Sequence, residues 1–207
     1  MTQHGVYTGS MMNNRLTLLE ARQALHGARM ETLAKLAIDS VRGSREMQNH
    51  PAFDSTTLAR GASNLFYFHA PIEFASDPGV RLGESGGQKY LVFDERFLIR
   101  FKLLDDNFES SNFPTEQAVN FVRQSELTNF PPFDRTHLGY RLDITGRVVG
   151  DMFVTLPTGI KGAFNAWMWQ VWGDRVGETT TYGTPFQLRF PGIAAPIYAY
   201  DDYRQVI

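Results

Sequence analysis

Residues 89–104 read KYLVFDERFLIRFKLL, and they decide how the rest of the chain is interpreted. Residues 90–93 form a short apolar run, a polar triplet follows, and residues 97–104 alternate in character. This pattern predicts a tight antiparallel hairpin, because a period of two is typical of a strand with one buried face. Four apolar side chains share one face of its second strand: Phe97, Ile99, Phe101 and Leu103. Arg100 and Lys102 then stand side by side on the opposite, half-polar face.

A second hairpin is predicted at residues 139–156. Tyr140 and Leu142 alternate with charged side chains, and Gly146 can supply the positive φ that the following turn requires. Residues 148–156 carry apolar side chains on both faces, which is typical of a central strand. The two hairpins together predict an antiparallel sheet.

The first fifty residues predict helix. Asn14 can cap a helix that begins at Arg15 and runs to about Arg42, with an interruption at Gly27. Apolar residues recur at helical spacing on both sides of this glycine. One bent helix and a helical hairpin both satisfy the pattern.

Three further segments extend this architecture. Residues 65–70 alternate and predict a strand, whereas residues 76–88, SDPGVRLGESGGQ, have the composition of a loop. A helix is predicted at about residues 114–124, since proline favours the first turn of a helix. These segments place helices between and before the strands of the sheet.

The tryptophan-rich segment, residues 163–172, is apolar almost all round and favours a buried helix. A strand with Trp167 and Trp169 on one face is the alternative. The cluster of these two with Trp172 favours a core role, and a stacking platform or a contact with a partner is the alternative. Residues 186–190 predict a further strand.

The expected fold class is α+β, an antiparallel sheet with packed helices that is preceded by a helical N-terminal unit. Residues 43–57 are polar and are broken by Pro51, so they mark the candidate boundary. The expected organisation is an N-terminal helical segment at 1–50 and an α+β domain at 51–207.

Composition excludes several classes of protein. The chain has 207 residues, of which 43% are hydrophobic and 20% charged, which is the chemistry of a globular protein. Its 20 basic and 22 acidic side chains produce no global field that attracts nucleic acid. Without cysteine there is no disulfide and no Cys-ligated zinc, and no apolar run approaches the ~20 residues of a membrane span. We expect a soluble, cytoplasmic protein with no membrane contact.

Four basic residues are candidate binding residues. Arg100 and Lys102 share a strand face, and Arg141 joins them if its strand is a neighbour. Like charges that close are unfavourable unless an anion or a carboxylate neutralises them, so convergence favours a phosphate or acidic-peptide site. Arg22 borders the apolar stripe of the first helix, where it predicts a basic ridge, an internal ion pair or a stem laid on apolar surface.

Compact catalytic and metal-binding motifs are not recognisable. A metal-dependent nuclease strand needs a carboxylate at the position of Arg100, and Pro71 argues against helical alignment of His69 with Glu73 on a metal. His137 is placed in a loop without a serine elbow. We therefore expect no metal and no cofactor, and leave the catalytic residues unassigned.

The expected function is a non-catalytic binding or regulatory protein that recognises a macromolecular partner. A protein partner or a second copy of the chain is the first expectation, and nucleic acid is the other. The alternative is an enzyme acting on nucleic acid or nucleotides, with a site assembled from dispersed residues.

Overall fold

The computed structural model describes residues 15–48, 54–106, 108, 110, 116–124, 131–160, 163–173 and 179–181. It confirms an α+β fold with an N-terminal helical region. Its helices are α1 (Leu18–Ala24), α2 (Ala28–Met47), α3 (Ser55–Glu73) and α4 (Glu116–Val122). Its strands are β1 (Val80–Ser85), β2 (Gln88–Phe93), β3 (Phe97–Leu103), β4 (Asp134–Leu142), β5 (Val149–Ile160), β6 (Ala163–Trp172) and β7 (Thr179–Thr181).

The strands form one seven-stranded sheet in which neighbours follow the order of the chain. Every neighbouring pair is antiparallel except β3 and β4, which run parallel. A parallel pair needs a crossover, and α4 lies in the connection between these two strands. Among the described strands the sheet is therefore mostly antiparallel, and the one parallel pairing lies at Arg100.

Both predicted hairpins are present. Strands β2 and β3 are joined by a turn in which Asp94 and Glu95 have positive φ values of 50° and 52°. Strands β4 and β5 are joined through Gly146, whose φ is 65°. Strand β5 lies between β4 and β6, as expected of a central strand.

The helical N-terminal region begins later than predicted. Thr17 caps α1, because its hydroxyl accepts from the Glu20 N–H while the Glu20 carboxylate accepts from the Thr17 N–H. This reciprocal capping box starts the helix at Leu18 instead of Arg15. The predicted interruption at Gly27 is confirmed by its φ of 63°, and α2 then continues to Met47.

The predicted strand at residues 65–70 is wrong, since these residues lie inside α3. Buried side chains recur every fourth residue along this helix and at its C-cap: Leu58, Ala62, Phe66, Ala70 and the capping Phe74. That helical stripe is longer than the six-residue alternation, and Asp54 caps it by accepting from the Thr57 N–H at 2.7 Å. The local alternation was too short to identify the element.

The sequence indicated that Pro71 prevents a helix at His69 and Glu73, and this interpretation is wrong, because both residues lie in α3. Proline removes one N–H donor and crowds the carbonyl four residues before it. Here it lies in the last turn of α3, which ends at Glu73, so the helix loses a single interior hydrogen bond.

The predicted loop at residues 76–88 contains β1. Gly86 and Gly87 have φ values of 55° and 71° and close a two-residue hairpin between β1 and β2. Two positive φ values are the requirement of the turn that matches the twist of a hairpin. Gly86 and Gly87 therefore form a tight turn between two strands, and are not part of a long loop.

The predicted helix at residues 163–172 is also wrong, because Ala163–Trp172 forms β6 and pairs with β5. Trp167 and Trp169 are buried on the helix-covered face of the sheet, which is the alternative that the sequence left open. The helix predicted near residue 114 is confirmed in part as α4. The strand predicted at 186–190 lies outside the described residues.

The sheet has two different faces. Helices α1, α2 and α3 cover one face, and their apolar side chains form a single core with those of β2 to β6. On the other face, Phe121 of α4 packs in a smaller cluster with Tyr90, Val92 and Leu98. The division of the chain into two units at residue 50 stays a prediction.

No helix within the described ranges is long and apolar enough to cross a membrane.

Candidate functional site

Strand β3 places Arg100 and Lys102 on the face of the sheet opposite the large core. Ile99 and Phe101 belong to that core, so the alternating side chains of Arg100 and Lys102 point to the α4 side. Arg100 retains 7% of its exposure, which makes it a buried cation instead of a solvated surface residue.

A row of three polar side chains crosses this face. Arg100 is the register partner of His137 on β4, and His137 is the partner of Thr155 on β5. Neighbouring strands lie about 4.8 Å apart, so directly paired side chains are in reach of one another. His137 and Thr155 retain 3% and 0% of their exposure. We call the side of β3 to β5 that carries Arg100, Lys102, Arg135, His137 and Thr155 the cationic face.

Phe121 of α4 covers part of the cationic face. Its ring centroid lies 4.7 Å from the Arg100 guanidinium carbon and 5.9 Å from that of Arg135. It also stacks on the His137 ring, with centroids 5.3 Å apart and planes 7° from parallel. The negative face of an aromatic ring stabilises a nearby cation, so α4 supports the charges that it covers.

Gln124, just after α4, fixes this helix to the sheet. Its side-chain amide donates to the Arg135 carbonyl at 2.7 Å and accepts from the Arg135 N–H at 2.9 Å. The same amide donates to the Pro157 carbonyl at 3.2 Å. Proline has no N–H, so the Gln124 side chain completes the hydrogen bonding between β4 and β5 where the ladder lacks a donor.

Burial and mutual repulsion shape the electrostatics of the site. Burial, with Arg100 as the second cause, lowers the pKa of Lys102 to about 7. The pKa of His137 falls well below its ordinary value, because of burial first and then the charges of Arg100 and Lys102. Burial also lowers the pKa of Arg100. His137 is consequently neutral at pH 7.

None of the ion pairs within the described residues involves Arg100. In the same part of the chain, His137 Nε2 and Thr155 Oγ1 are buried without a hydrogen-bond partner. Buried polar atoms nearly always have a partner, so these two atoms, at strand positions that adjoin Arg100 in the sheet, mark this row as a candidate site.

Arg141 lies on the same face but outside the row. It follows His137 by four residues, which places it about 13 Å further along β4 at ~3.3 Å per residue. Its guanidinium donates to the Asp106 carboxylate at 3.0 Å and lies 5.0 Å from the Phe108 ring. The predicted neighbour on this strand face is therefore present, and its guanidinium already forms an ion pair with Asp106.

Arg22 lies on the other side of the sheet, within the helical layer. It retains 4% of its exposure, and its guanidinium carbon lies 4.9 Å from the centroid of Trp169. Burial lowers its pKa to about 10. The structure therefore separates Arg22 from the cationic face.

Trp172 differs from the two buried tryptophans of β6, because 44% of its surface is exposed.

Sequence reasoning missed Arg135 and Thr155 and placed His137 in a loop. All three lie on strands, and Arg135 and His137 alternate with Thr136 and Leu138 along β4. That alternation begins only three residues after Pro132, and the preceding prolines obscured it. Thr155 carried no signal of its own, since its role depends on strand pairing.

Comparison of the chain with protein-family models, curated proteins and solved structures finds no match. Among the residues that the structure describes, no three His, Asp or Glu side chains are grouped to hold a metal ion.

Proposed function

We propose that this chain is a non-catalytic binding protein that recognises an anionic group of a macromolecular partner on its cationic face. The observation that supports it most is the buried row of Arg100, His137 and Thr155, in which a cation without an ion pair adjoins two polar atoms without partners.

The charges of the cationic face favour an anion as its ligand. Two cations separated by one residue on a strand repel each other, and burial removes the water that would screen them. The carboxylates described on this face, Asp106 and Asp151, lie at its Arg141 end. An incoming anion would neutralise Arg100 and satisfy the neighbouring polar atoms in one step.

The direct test is the double variant Arg100→Met with Lys102→Met. Methionine keeps most of the volume of each side chain, so the sheet is expected to fold. Binding of acidic peptides, phosphorylated peptides and short oligonucleotides is measured by fluorescence anisotropy at fixed ionic strength. We expect wild type to bind at least one of these classes, and the double variant to lose about tenfold or more in affinity.

The matched control is Lys35→Met with Arg42→Met, which removes the same charge from the exposed surface of α2. This control is expected to bind as wild type does. Equal binding by the double variant and the control would contradict the proposal, as would the absence of binding to every class of probe.

An enzyme acting on nucleic acid or nucleotides is the second candidate function. The observation that favours it is His137, which the fold brings next to Arg100 with a buried Nε2. Its lowered pKa argues against it, because a neutral imidazole of low basicity is a weak general base at pH 7.

Hydrolysis of nucleotides and oligonucleotides by wild type and by His137→Gln separates the two functions. The binding proposal predicts no turnover by either protein. Turnover by wild type that His137→Gln abolishes would replace the binding proposal with the enzyme.

A further inference from the structure

We propose that the outer edge of β1 is an interface at which two copies of this chain pair, antiparallel, into one continuous sheet. The interface is independent of the cationic face, because β1 lies at the edge of the described sheet and is separated from β3 by β2. Three features meet there: outward backbone groups of β1, an apolar groove beside it, and exposed apolar side chains on α3.

The backbone of β1 offers hydrogen-bonding groups on the side that faces away from β2. The Asp94 N–H donates to the Gly79 carbonyl at 2.7 Å, so the backbone groups of residue 79, and by alternation those of every second residue along β1, face β2. The backbone groups of Leu82 and Glu84 therefore point outward, and no strand within the described residues pairs with them. Such an edge is a template for an added strand.

An apolar groove lies beside this edge, on the helix-covered side of the sheet. It encloses about 330 Å³ between the end of α3 and β1, and Pro71 and Leu82 line it from these two sides. Phe68 and Ile72 are neighbours of Pro71 on the surface of α3, and they keep 68% and 64% of their exposure. A contiguous apolar patch of this kind marks an interaction surface.

The charges along β1 favour one register between two copies. Registers centred on Arg81 or on Glu84 set like charges directly opposite each other, and one centred on Gly83 makes the two Glu84 carboxylates diagonal neighbours. The register centred on Leu82 avoids these repulsions. It sets Arg81 opposite Gly83 of the second copy, where the Tyr90 ring lies in the space that a Cβ would need. Each copy thus provides both halves of a contact between a cation and an aromatic ring, and this self-complementarity favours a second copy as the occupant.

Hydrogen bonding agrees with the same register. The N–H and carbonyl of Leu82 meet those of Leu82 in the second copy, and each Glu84 N–H meets the Val80 carbonyl of the other copy. The Val80 N–H is not needed, and it already donates to the Asp77 carbonyl at 3.1 Å. Every outward group of Leu82 is therefore satisfied.

Each edge is electrically balanced, because Arg81 pairs with Glu95 of its own chain and Glu84 lies opposite Lys89 on β2. Two copies therefore approach without a net repulsion. The exposed apolar side chains of α3 and β1 offer on the order of 300 Å² per copy, which is less than the ~800 Å² of a typical stable interface. We expect a weak dimer, with a Kd of about 10–100 µM.

Sedimentation velocity of the full chain from ~1 µM to ~1 mM measures this association. Ile72→Lys should weaken it about tenfold or more, because it places a charge in the apolar patch. The matched control is Ile144→Lys, since Ile144 is fully exposed in the turn between β4 and β5. This control should dimerise as wild type does.

The register is tested by introducing single cysteines, because the chain has none of its own. Leu82→Cys should give a disulfide-linked dimer under mild oxidation, since directly paired residues of antiparallel strands have Cα atoms about 5.5 Å apart, within reach of a disulfide. Glu84→Cys is the control on the same strand face. Its two copies would lie about 13 Å apart along the paired strands, so it should not cross-link.

A wild type that stays monomeric up to ~1 mM would assign the edge to a strand of another protein or of its own chain, and would overturn the inference. A dimer that Ile72→Lys leaves intact would also overturn it, as would cross-linking of Glu84→Cys as fast as that of Leu82→Cys. None of these results affects anion binding on the cationic face, so the two proposals fail separately.

Discussion

Lys102 carries an ammonium group into the cationic face, where burial and the charge of Arg100 lower its pKa to about 7. In the unfolded chain the same group keeps its proton to about pH 10.5. Between these values the unfolded state binds more protons than the folded state, so the free energy of unfolding rises with pH. The buried Lys102 thus lowers stability by an amount that shrinks between these two pH values and vanishes once the unfolded chain also loses the proton.

Replacement of Lys102 by methionine should remove this pH dependence. From pH 7 to pH 9.5 the free energy of unfolding of wild type should gain on the order of 1–3 kcal/mol relative to Lys102→Met. Urea unfolding at several pH values measures the difference. The window stops below the range where Tyr67, whose pKa burial raises to about 12, would begin to act in the opposite direction. A constant difference between the two proteins would contradict the buried placement of Lys102.

At the scale of elements, Gln124 links the end of α4 to strands β4 and β5. Its amide supplies hydrogen bonds to Arg135 and to the Pro157 carbonyl at a point where proline cannot donate. The Gln124 side chain therefore makes hydrogen bonds to two strands that a strand backbone makes elsewhere in the sheet. The position of Phe121 over the cationic face follows from this attachment.

Gln124→Ala should leave the Arg135 backbone groups without their partner. We expect the free energy of unfolding to fall by about 1–3 kcal/mol, the usual effect of an unsatisfied buried polar group. Gln124→Glu keeps the acceptor but sets a carboxylate oxygen against two backbone carbonyls, so it should be at least as destabilised as the alanine variant. Equilibrium unfolding in urea measures all three proteins, and an alanine variant as stable as wild type would show that the contact is dispensable.

Elements whose hydrophobic pattern is long, or is bounded by turn residues, could be predicted from the sequence. Elements with a short pattern could not. Residues 89–104 and 139–156 combine alternation with turn chemistry, and both hairpins are present. Residues 65–70 alternate for too few positions to outweigh the helical stripe that begins at Leu58. In β6 apolar side chains stand on both faces, so the period of two disappears and the sequence does not distinguish helix from strand.

The candidate site was predictable in part. Alternation along β3 placed Arg100 and Lys102 on one face, and that local rule needs no knowledge of the rest of the fold. Their neighbours depend on a parallel pairing between strands that are more than thirty residues apart. No local pattern specifies that register, so His137 and Thr155 became visible only in the folded sheet.

The whole molecule is held together by contacts between its helical layer and its sheet. Arg29, at the start of α2, pairs with Asp77 before β1 and with Asp94 in the turn between β2 and β3. Its Nε and Nη2 donate to the two Asp77 oxygens at 2.6 and 2.9 Å. Hydrogen bonding to Arg29 lowers the pKa of Asp77. One guanidinium thus joins three separate segments of the chain.

Arg29→Met should lower the free energy of unfolding at pH 7 by about 1–2 kcal/mol, since these pairs are partly exposed and screened. The loss should disappear as acid protonates Asp77, because a depressed carboxyl pKa stabilises the fold only above the range in which that group titrates. Urea unfolding at pH 7 and pH 2.5 measures both effects. Arg42→Met, which removes an exposed pair within α2, is the control and should change stability by less than about 0.5 kcal/mol.

The most direct test of the central claim, that the cationic face binds an anion, is a crystal structure of the full chain grown with phosphate as its principal anion. The account predicts tetrahedral density within hydrogen-bond distance of the Arg100 guanidinium and His137 Nε2, with Thr155 Oγ1 as a further donor. A single water between His137 and Thr155, with Arg100 turned away or paired to a carboxylate of its own chain, would contradict it.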